Sequence, residues 1–544
     1  MHKALLGTLA GALASSAAAQ LPANPAQAPV FSPPTSEAPM LRGDTAATSQ
    51  GWTATPIFTI GETVRGYQPT GIFDGMGVYR NSFGHPTVLV TSELNEGNGY
   101  AYTLANGTQL TGARMHSMVV LRNQQNDIRL GRAMLAYDTM YDRYGLEVTD
   151  PIQVNEDGNA IDGLARFCSA QMVQAGTYGF VDPIFFSGEE TGKPFHPHGG
   201  SLWALDVEGR ALHAVPAVGR GAWENATPLA TGSGDSVALL MGDDTAGAPL
   251  YLYIGQKNAA GTGSFLDRNG LAVGQVYAFR ADNGDLDPEQ FNGVNGFRSG
   301  SWVAIDVKDA GMAGQVGYDA QGYLDVDTLQ GAADTLGCFS FSRPEDLATN
   351  PADATMAVFA STGRGSQYPS DNWGTVYIID TNFDDLSAEL VIVHDADGFA
   401  DPDSGIRSPD NLTWAENGKI YLQEDKSTSP GSLFGGSTGI ESSVWELNPV
   451  TRSFKRIGEI DRSAVVPAGT TDIGVGTIGH WENSGIIDVT RIFGTAPNER
   501  LLLLNVQAHG IRDGAIGDNP LLDEGGQLLF LSKITTADGN DDGQ

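Results

Sequence analysis

Short runs in which apolar and polar residues alternate are separated along this chain by clusters of Gly, Asp and Asn. Alternation at period two is the mark of half-buried strands, and the clusters between them are turns. Four runs resemble one another: Ser201-Leu-Trp-Ala-Leu-Asp206, Gln275-Val-Tyr-Ala-Phe-Arg280, Thr375-Val-Tyr-Ile-Ile-Asp380 and Ser443-Val-Trp-Glu-Leu-Asn448. Each has an aromatic third residue and leads into a polar turn. Second strands follow two of them directly, at Ala388–His394 and Ser453–Ile460, so those pairs read as hairpins. Further strands are predicted at Val88–Thr91, Val237–Met241, Leu250–Ile254, Met356–Ala360, Ile420–Gln423, Leu501–Val506 and Leu528–Ser532. Helix signal is confined to short pieces near Gly163–Gln174 and Asp325–Asp334. Many hairpins with few helices predict an all-β chain, a β-propeller with inserted loops and short helices, with a sandwich as the second choice. The four runs begin at 201, 275, 375 and 443. Those intervals exceed one propeller blade of about 40 residues, so other blades or inserted loops lie between them.

The ends of the chain differ from this middle. Met1-His2-Lys3 is a short basic start, Ala4 to Ala14 is apolar, and Ala17-Ala18-Ala19 fits a small-x-small cleavage site. Residues 1–19 therefore read as a signal peptide. Without a twin arginine, the expected route is general secretion and the expected location periplasmic or secreted. No later stretch reaches the roughly 18 apolar residues of a membrane span. Residues 20–55 are rich in Pro, Ala, Ser and Thr and read as a linker or extended arm. Residues 56–535 read as one propeller catalytic domain, and 536–544 as an acidic disordered tail.

Composition narrows the function classes. There are 31 Lys+Arg against 65 Asp+Glu, a formal charge of −34. Such a chain lacks the basic face that phosphate backbones or anionic lipids require, so neither nucleic acid nor membrane is an expected partner. The 70 glycines agree with a turn-rich chain. Two cysteines exclude a disulfide-dense scaffold and a four-thiolate zinc site.

The acids concentrate at strand ends: Val88-Leu-Val-Thr-Ser-Glu93, Phe185-Phe-Ser-Gly-Glu189-Glu190, Ala238-Leu-Leu-Met-Gly-Asp243-Asp244 and Ile420-Tyr-Leu-Gln-Glu424-Asp425. A propeller gathers strand ends at the mouth of its channel, where carboxylates repel unless cations are bound. Many oxygen ligands suit Ca2+. Taken singly, each acid equally well ends a strand in a solvated loop. Arg343, in Phe341-Ser-Arg-Pro-Glu345-Asp346, suits either a phosphate clamp or a structural ion pair. Asp410 and Asn411, in Ser408-Pro-Asp-Asn-Leu412, suit either a turn before a strand or oxygen ligands. His196-Pro197-His198 reads as an exposed loop or a metal pair.

In order along the chain, these pieces resemble the PhoX-type alkaline phosphatases, which are secreted β-propeller enzymes. The motifs are Leu89-Val-Thr-Ser-Glu93, Cys168 followed by Ser187-Gly188-Glu189-Glu190, Gly219-Arg220-Gly221-Ala222-Trp223-Glu224-Asn225-Ala226, Met241-Gly242-Asp243-Asp244, Arg343-Pro344-Glu345, Ser408-Pro-Asp-Asn-Leu412 and Asn505-Val-Gln-Ala-His509-Gly510. The chain departs from the family at Trp223, where a His is usual, after Cys168, where Ser169-Ala170-Gln171 replaces smaller residues, and at 176–180.

The resemblance implies a metal-dependent phosphatase hydrolysing phosphate monoesters through a cation cluster at the channel, with a small-molecule phosphate ester as partner; the sequence leaves the oligomeric state open, a monomer being favoured. The resemblance also implies Ca2+ and Fe3+ as cofactors, with Glu93, Cys168, Glu190, Glu224, Glu345 and Asp410 as metal ligands and Asn411 as a further member of the calcium set. Arg343, Glu345 and Glu224 are the implied catalytic residues, with Arg343 an exposed channel side chain gripping phosphate. Cys168 has an alternative fate, a disulfide with Cys338, which lies five residues before Arg343. The alternatives for the whole chain are a calcium-dependent phytase-like or other propeller hydrolase, and a non-catalytic calcium-stabilised binding propeller.

Overall fold

The computed structural model describes residues 31–49, 51–156, 163–193, 196–517 and 521–534. Strand pairing is mostly sequential, as hairpin-rich sequence demands: within a blade four strands pair antiparallel, most of them with the next in the chain. The first blade runs Phe73–Arg80, Pro86–Ser92, Arg114–Arg122, Ile128–Leu135, and the second Phe167–Val173, Ile184–Glu189, Leu202–Asp206, Ala211–Ala214. The third is Trp223–Leu229, Ser236–Asp243, Tyr251–Gln256, Gly274–Ala281, and the fourth Pro344–Thr349, Met356–Ser361, Thr375–Asn382, Ser387–Asp395. The fifth is Pro409–Trp414, Ile420–Glu424, Ser443–Leu447, Phe454–Ile460. The sixth takes Glu482–Asp488, Glu499–Ala508 and Gly525–Ile534 from the end of the chain and Trp52–Thr59 from its start. Each blade's first strand packs against the first strands of its two neighbours, and the sixth meets the first, so the ring closes on six blades.

The closure joins distant sequence. Trp52–Thr59 lies on the outer edge of the sixth blade, and Leu41–Arg42 pairs on the edge of the fifth. The stretch 20–55 therefore contributes two strands among its described residues, rather than being linker throughout. A further strand, Phe297–Ile305, pairs with Gly274–Ala281 on one side and Ser387–Asp395 on the other, which covers two edges that would otherwise be open.

Cores lie between blades. Phe186 and Leu202 of the second pack with Val237 and Met241 of the third, and Val358 and Val376 of the fourth with Leu422 and Trp445 of the fifth. The repeated aromatic run is the third strand of the second, fourth and fifth blades and the fourth strand of the third. These blades are consecutive, so the long intervals are inserted loops.

Two expectations are corrected here. Residues 163–174 form no helix; Phe167–Val173 is the innermost strand of the second blade. It is almost wholly buried, so the alternation that marks a strand is lost. Likewise Asp410 and Asn411 do not form a turn before a strand but sit in the innermost strand Pro409–Trp414. The other helix is present as Val326–Thr335, capped by the Asp325 side chain accepting from Thr328 N. Among the described residues, no helix is long and apolar enough to cross a membrane. The expected signal peptide and acidic tail lie outside the described residues.

Candidate metal centre

Each innermost strand delivers one ligand-type side chain from its first or second residue: Asp74, Cys168, Glu224, Glu345, Asp410 and Glu482. Every one of these strands also breaks register with its neighbour within two or three residues of that point, between Phe73/Met76, Phe167/Ala170, Trp223/Ala226, Pro344/Leu347, Pro409/Leu412 and Ser484/Ile486. A bulge inserts an extra residue and re-aims a side chain. Repeated six times, it gathers one ligand per blade into a ring. All six side chains are nearly fully buried.

A second ring comes from the residue that follows each second strand: Glu93, Glu190, Asp244, Thr362, Asp425 and His509. Period-two alternation decides which member of each acidic pair joins it. Glu190 joins, whereas Glu189 turns away and accepts from Trp203 Nε1 at 3.0 Å. Asp425 joins, whereas Glu424 pairs with the buried Arg407 at 2.6 Å. Asp244 joins, whereas Asp243 accepts from Gln330 Nε2 at 3.0 Å. Thr362 Oγ1 donates to Glu345 Oε1 at 2.6 Å, tying the rings together.

The residues after four of the first-ring ligands, Ser169, Asn225, Asp346 and Asn411, seam the blades. Asn225 donates to Asp346 and Asp346 accepts from Leu412 N at 2.8 Å. Asn411 Nδ2 donates to Ser169 Oγ at 2.7 Å, and its carbonyl accepts from Ser484 Oγ at 3.0 Å and from Gly485 N. Asn411 is thus held in hydrogen bonds between blades. Glycine is required where first strands touch: a Cβ on Gly75 would lie 2.2 Å from Ala170 N, and one on Gly485 2.2 Å from Asp74 O.

The expected ligands Glu93, Cys168, Glu190, Glu224, Glu345 and Asp410 converge. They fall in linked groups, Asp74–Glu93–Cys168, Cys168–Glu190–Glu224, Glu224–Glu345–Asp410 and Asp410–Asp425–Glu482, within each of which the ligand atoms lie within 4.8 Å of one another. Two carboxylates about 5 Å apart repel by roughly 3 kcal/mol even at an effective dielectric near 20. The described protein compensates in part. Arg166 Nη2 lies 2.6 Å from Glu190 and 2.9 Å from Glu93. Arg343 forks onto Asp244 through Nε and Nη2, both at 2.6 Å, and reaches Glu345 at 3.0 Å. His509 is clamped by Glu524 at 2.5 Å and Glu482 at 3.3 Å.

The compensation is incomplete, and the protonation equilibria report it. Burial, then Glu93, Glu482 and Glu224, hold Asp74 well above the usual carboxylate range. Burial and Asp244 raise Glu224 to about 7, and burial and Asp425 raise Glu482 to about 8. Glu190, Glu345 and Asp410 move far up for the same reasons, Glu190 in spite of Arg166. For Asp244 burial pulls upward, but the Arg343 fork outweighs it and the carboxyl stays low. Burial and the surrounding carboxylates push the Cys168 thiol well up. Asp74 Oδ1 and Glu224 Oε2 are buried without a hydrogen-bond partner. Buried anionic oxygens lacking donors fit bound cations, and the oxygen-rich set with a single sulfur fits Ca2+ together with a softer ion at Cys168.

Cys168 Sγ donates to Asp74 Oδ2 at 3.2 Å, and Cys338 is a free thiol in the core between the second and third blades. The alternative of a disulfide between them is not what the structure holds. Arg343 is not an exposed channel side chain; it is only 18% exposed and held by Asp244. Its hydrogen bonds to Asp244 run through Nε and Nη2. His196 is buried and His198 partly so, beside Arg220, and neither joins the rings. Asp74, Glu482 and Arg166 were not singled out from sequence. Asp74 and Glu482 have the position of the other first-ring ligands as their only signal, near the start of a strand that sequence did not predict.

Residues 207–470 match the family model described as alkaline phosphatase PhoX. That span holds Glu224, Asp244, Arg343, Glu345, Asp410 and Asp425. No curated protein matches the chain. Among solved structures, Pseudomonas fluorescens PhoX in complex with vanadate, a transition state analogue, is similar at 15% identity, with a TM-score of 0.59, over 92% of this chain and 98% of that one. This likeness shows the fold. A GH43 β-1,3-galactosidase with galactodeoxynojirimycin aligns at 8% identity over 89% of this chain and 94% of its own, with a TM-score of 0.30, too low to carry an argument. The PhoX resemblance read from the motifs is borne out in sequence over 207–470 and in fold over most of the length.

Proposed function

Starting from a chain similar to the PhoX alkaline phosphatases, we propose that it is a metal-dependent phosphoric ester hydrolase acting on small phosphate monoesters at the two rings. The observation that carries the reading is the convergence of one ligand from every blade onto one cluster beside two arginines. Glu93, Cys168, Glu190, Glu224, Glu345 and Asp410, with Asp74, Asp425 and Glu482, would hold calcium and a softer ion such as Fe3+. Bound there, such cations would supply Lewis-acid stabilisation of the charge that develops on phosphoryl transfer.

The protein's own groups orient the substrate. The second ring is the solvent side: the first ring is buried, while Arg166, Arg343 and His509 side chains are 38%, 18% and 31% exposed. Asp244 fixes the guanidinium plane of Arg343 and leaves Nη1 to donate to a phosphate oxygen. Glu190 and Glu93 fix Arg166 in the same way. His509 stays protonated, because the donation to Glu482 and Glu524 outweighs its burial and raises it well above the ordinary imidazole value. It therefore anchors Glu482 as a cation rather than acting as a base. Glu224 and Glu345 border the ring positions nearest Arg343 and are the carboxylates placed to act on the reacting phosphate's cation shell.

The reading includes export. The signal-type segment 1–19 supports delivery through general secretion to the periplasm or exterior, where calcium is plentiful. The test is hydrolysis of p-nitrophenyl phosphate by the purified mature chain, before and after chelation and after return of Ca2+. Activity that disappears and returns supports the reading. Activity only on phytate or on phosphodiesters overturns the monoester assignment, and no hydrolysis of any phosphate ester at full calcium loading leaves the binding-propeller alternative.

A further inference from the structure

The blades have a second end. Glu93 follows the strand Pro86–Ser92, and Thr87 lies near its other terminus, about six residues or roughly 20 Å away. At that far end, between the first and second blades, a cavity of about 840 Å3 opens to solvent. This is the size of a small-molecule site, typically about 300–1,000 Å3. None of its lining residues belongs to either acid ring.

Its chemistry opposes that of the rest of the chain. Carboxylates outnumber basic residues 65 to 31 overall, yet four arginines, Arg65, Arg80, Arg132 and Arg210, line this cavity with Glu208 as the one carboxylate. Arg210 is paired with Asp138 at 2.9 Å. Arg80 donates only to the Gly84 carbonyl, at 3.1 Å, and Arg132 has no ion-pair partner among the described residues. The interior is mixed: Met134 and Pro183 stand beside Thr87, Ser117 and Gln174. Aromatic surface flanks them, with Tyr79 and Phe31 lining the cleft and Phe83 84% exposed in the turn beside Arg80. The guanidinium groups of Arg80 and Arg132, without ion-pair partners among the described residues, beside an aromatic surface recognise a molecule with both features.

We propose that this cleft binds a small organic anion with an aromatic body, its acid group at Arg80 and Arg132 and its body against Tyr79 and Phe31. The site is separate from the acid rings and does not depend on the phosphatase reading. The full mature chain, loaded with Ca2+, is titrated with anilinonaphthalenesulfonate and followed by fluorescence. Expected is saturable binding of one probe per chain, weakened about tenfold by Arg132→Ala or Arg80→Ala and removed by the Arg80→Glu/Arg132→Glu double variant. Neutral phenylnaphthylamine should bind at least about tenfold more weakly, and inorganic phosphate should not displace the probe. Phosphate-ester hydrolysis and melting temperature should be unchanged in all three variants. Lack of saturable binding, equal binding of the neutral probe, indifference to the arginine variants, displacement by inorganic phosphate, or a parallel loss of hydrolysis would each overturn the proposal.

Discussion

Removing cations should make the fold sensitive to alkali. Glu224 and Glu482 titrate near 4.5 in an unfolded chain, whereas in the folded, cation-free protein they titrate at about 7 and about 8. Folded protein then holds protons that the unfolded chain has released. The stability associated with these groups is full below about pH 4.5 and is lost as pH rises through about 7 and 8. By linkage, the loss is about 3 kcal/mol for Glu224 and about 5 kcal/mol for Glu482. Asp74, Glu190, Glu345 and Asp410 move in the same direction. So does His509, whose raised value adds stability that is lost on deprotonation. Asp244 is held low and changes nothing above pH 5. A loss on the order of 8 kcal/mol is comparable to the whole stability of a typical domain. The assay is thermal melting of exhaustively chelated protein between pH 5 and 8.5, against the same protein with excess Ca2+. The chelated protein should melt lower at pH 8.5 by on the order of 10 °C. With Ca2+ the ligands are already deprotonated, so melting should be higher and nearly flat over that range. A chelated protein that melts equally at both pH values, or more weakly at pH 5, would refute the reasoning.

Arg343→Ala should lower monoester turnover by about 100-fold or more and weaken inhibition by phosphate. It should also destabilise the protein by about 3 kcal/mol, because Asp244 is left buried and unpaired; denaturant melts and kinetics below the variant's own transition check both, and unchanged kinetics would make the residue purely structural. Cys168→Ser should lower the content of the softer metal and the activity together, whereas Cys338→Ser should change neither, as measured by elemental analysis beside activity. Asn411→Ala should cost about 2–3 kcal/mol of stability, because Ser169, Ser484 and Gly485 each lose a buried partner. A shift within error in a urea melt would show that the seam between blades is not held there.

The legible parts of the sequence and the illegible ones divide along a physical line. The strands expected at Val88–Thr91, Val237–Met241, Met356–Ala360, Ile420–Gln423 and Leu501–Val506 are all second strands of blades. They are long, apolar and flanked by turns. The first strands escaped: Phe73–Arg80, Phe167–Val173, Trp223–Leu229, Pro344–Thr349, Pro409–Trp414 and Glu482–Asp488. These are mostly buried on both faces and broken by a bulge, and all but Phe167–Val173 carry Gly, Asp, Asn or Pro where a strand former is expected. The features that hide them as strands are those that aim Asp74, Glu224 and Asp410 into the channel. The ligands in motifs were therefore found from neighbouring residues, whereas Asp74 and Glu482 became visible only when the ring closed. Arg343 shows the opposite limit. Its motif was readable, but its fork onto Asp244, 99 residues away, is a tertiary contact.

The most direct test is elemental analysis of the purified mature chain, coupled to activity on a phosphate monoester. The account predicts more than one bound cation per chain, calcium among them, with Glu224→Gln and Asp410→Asn each lowering both the count and the turnover. A fully active preparation containing no stoichiometric metal, or variants that keep the full metal count, would contradict it.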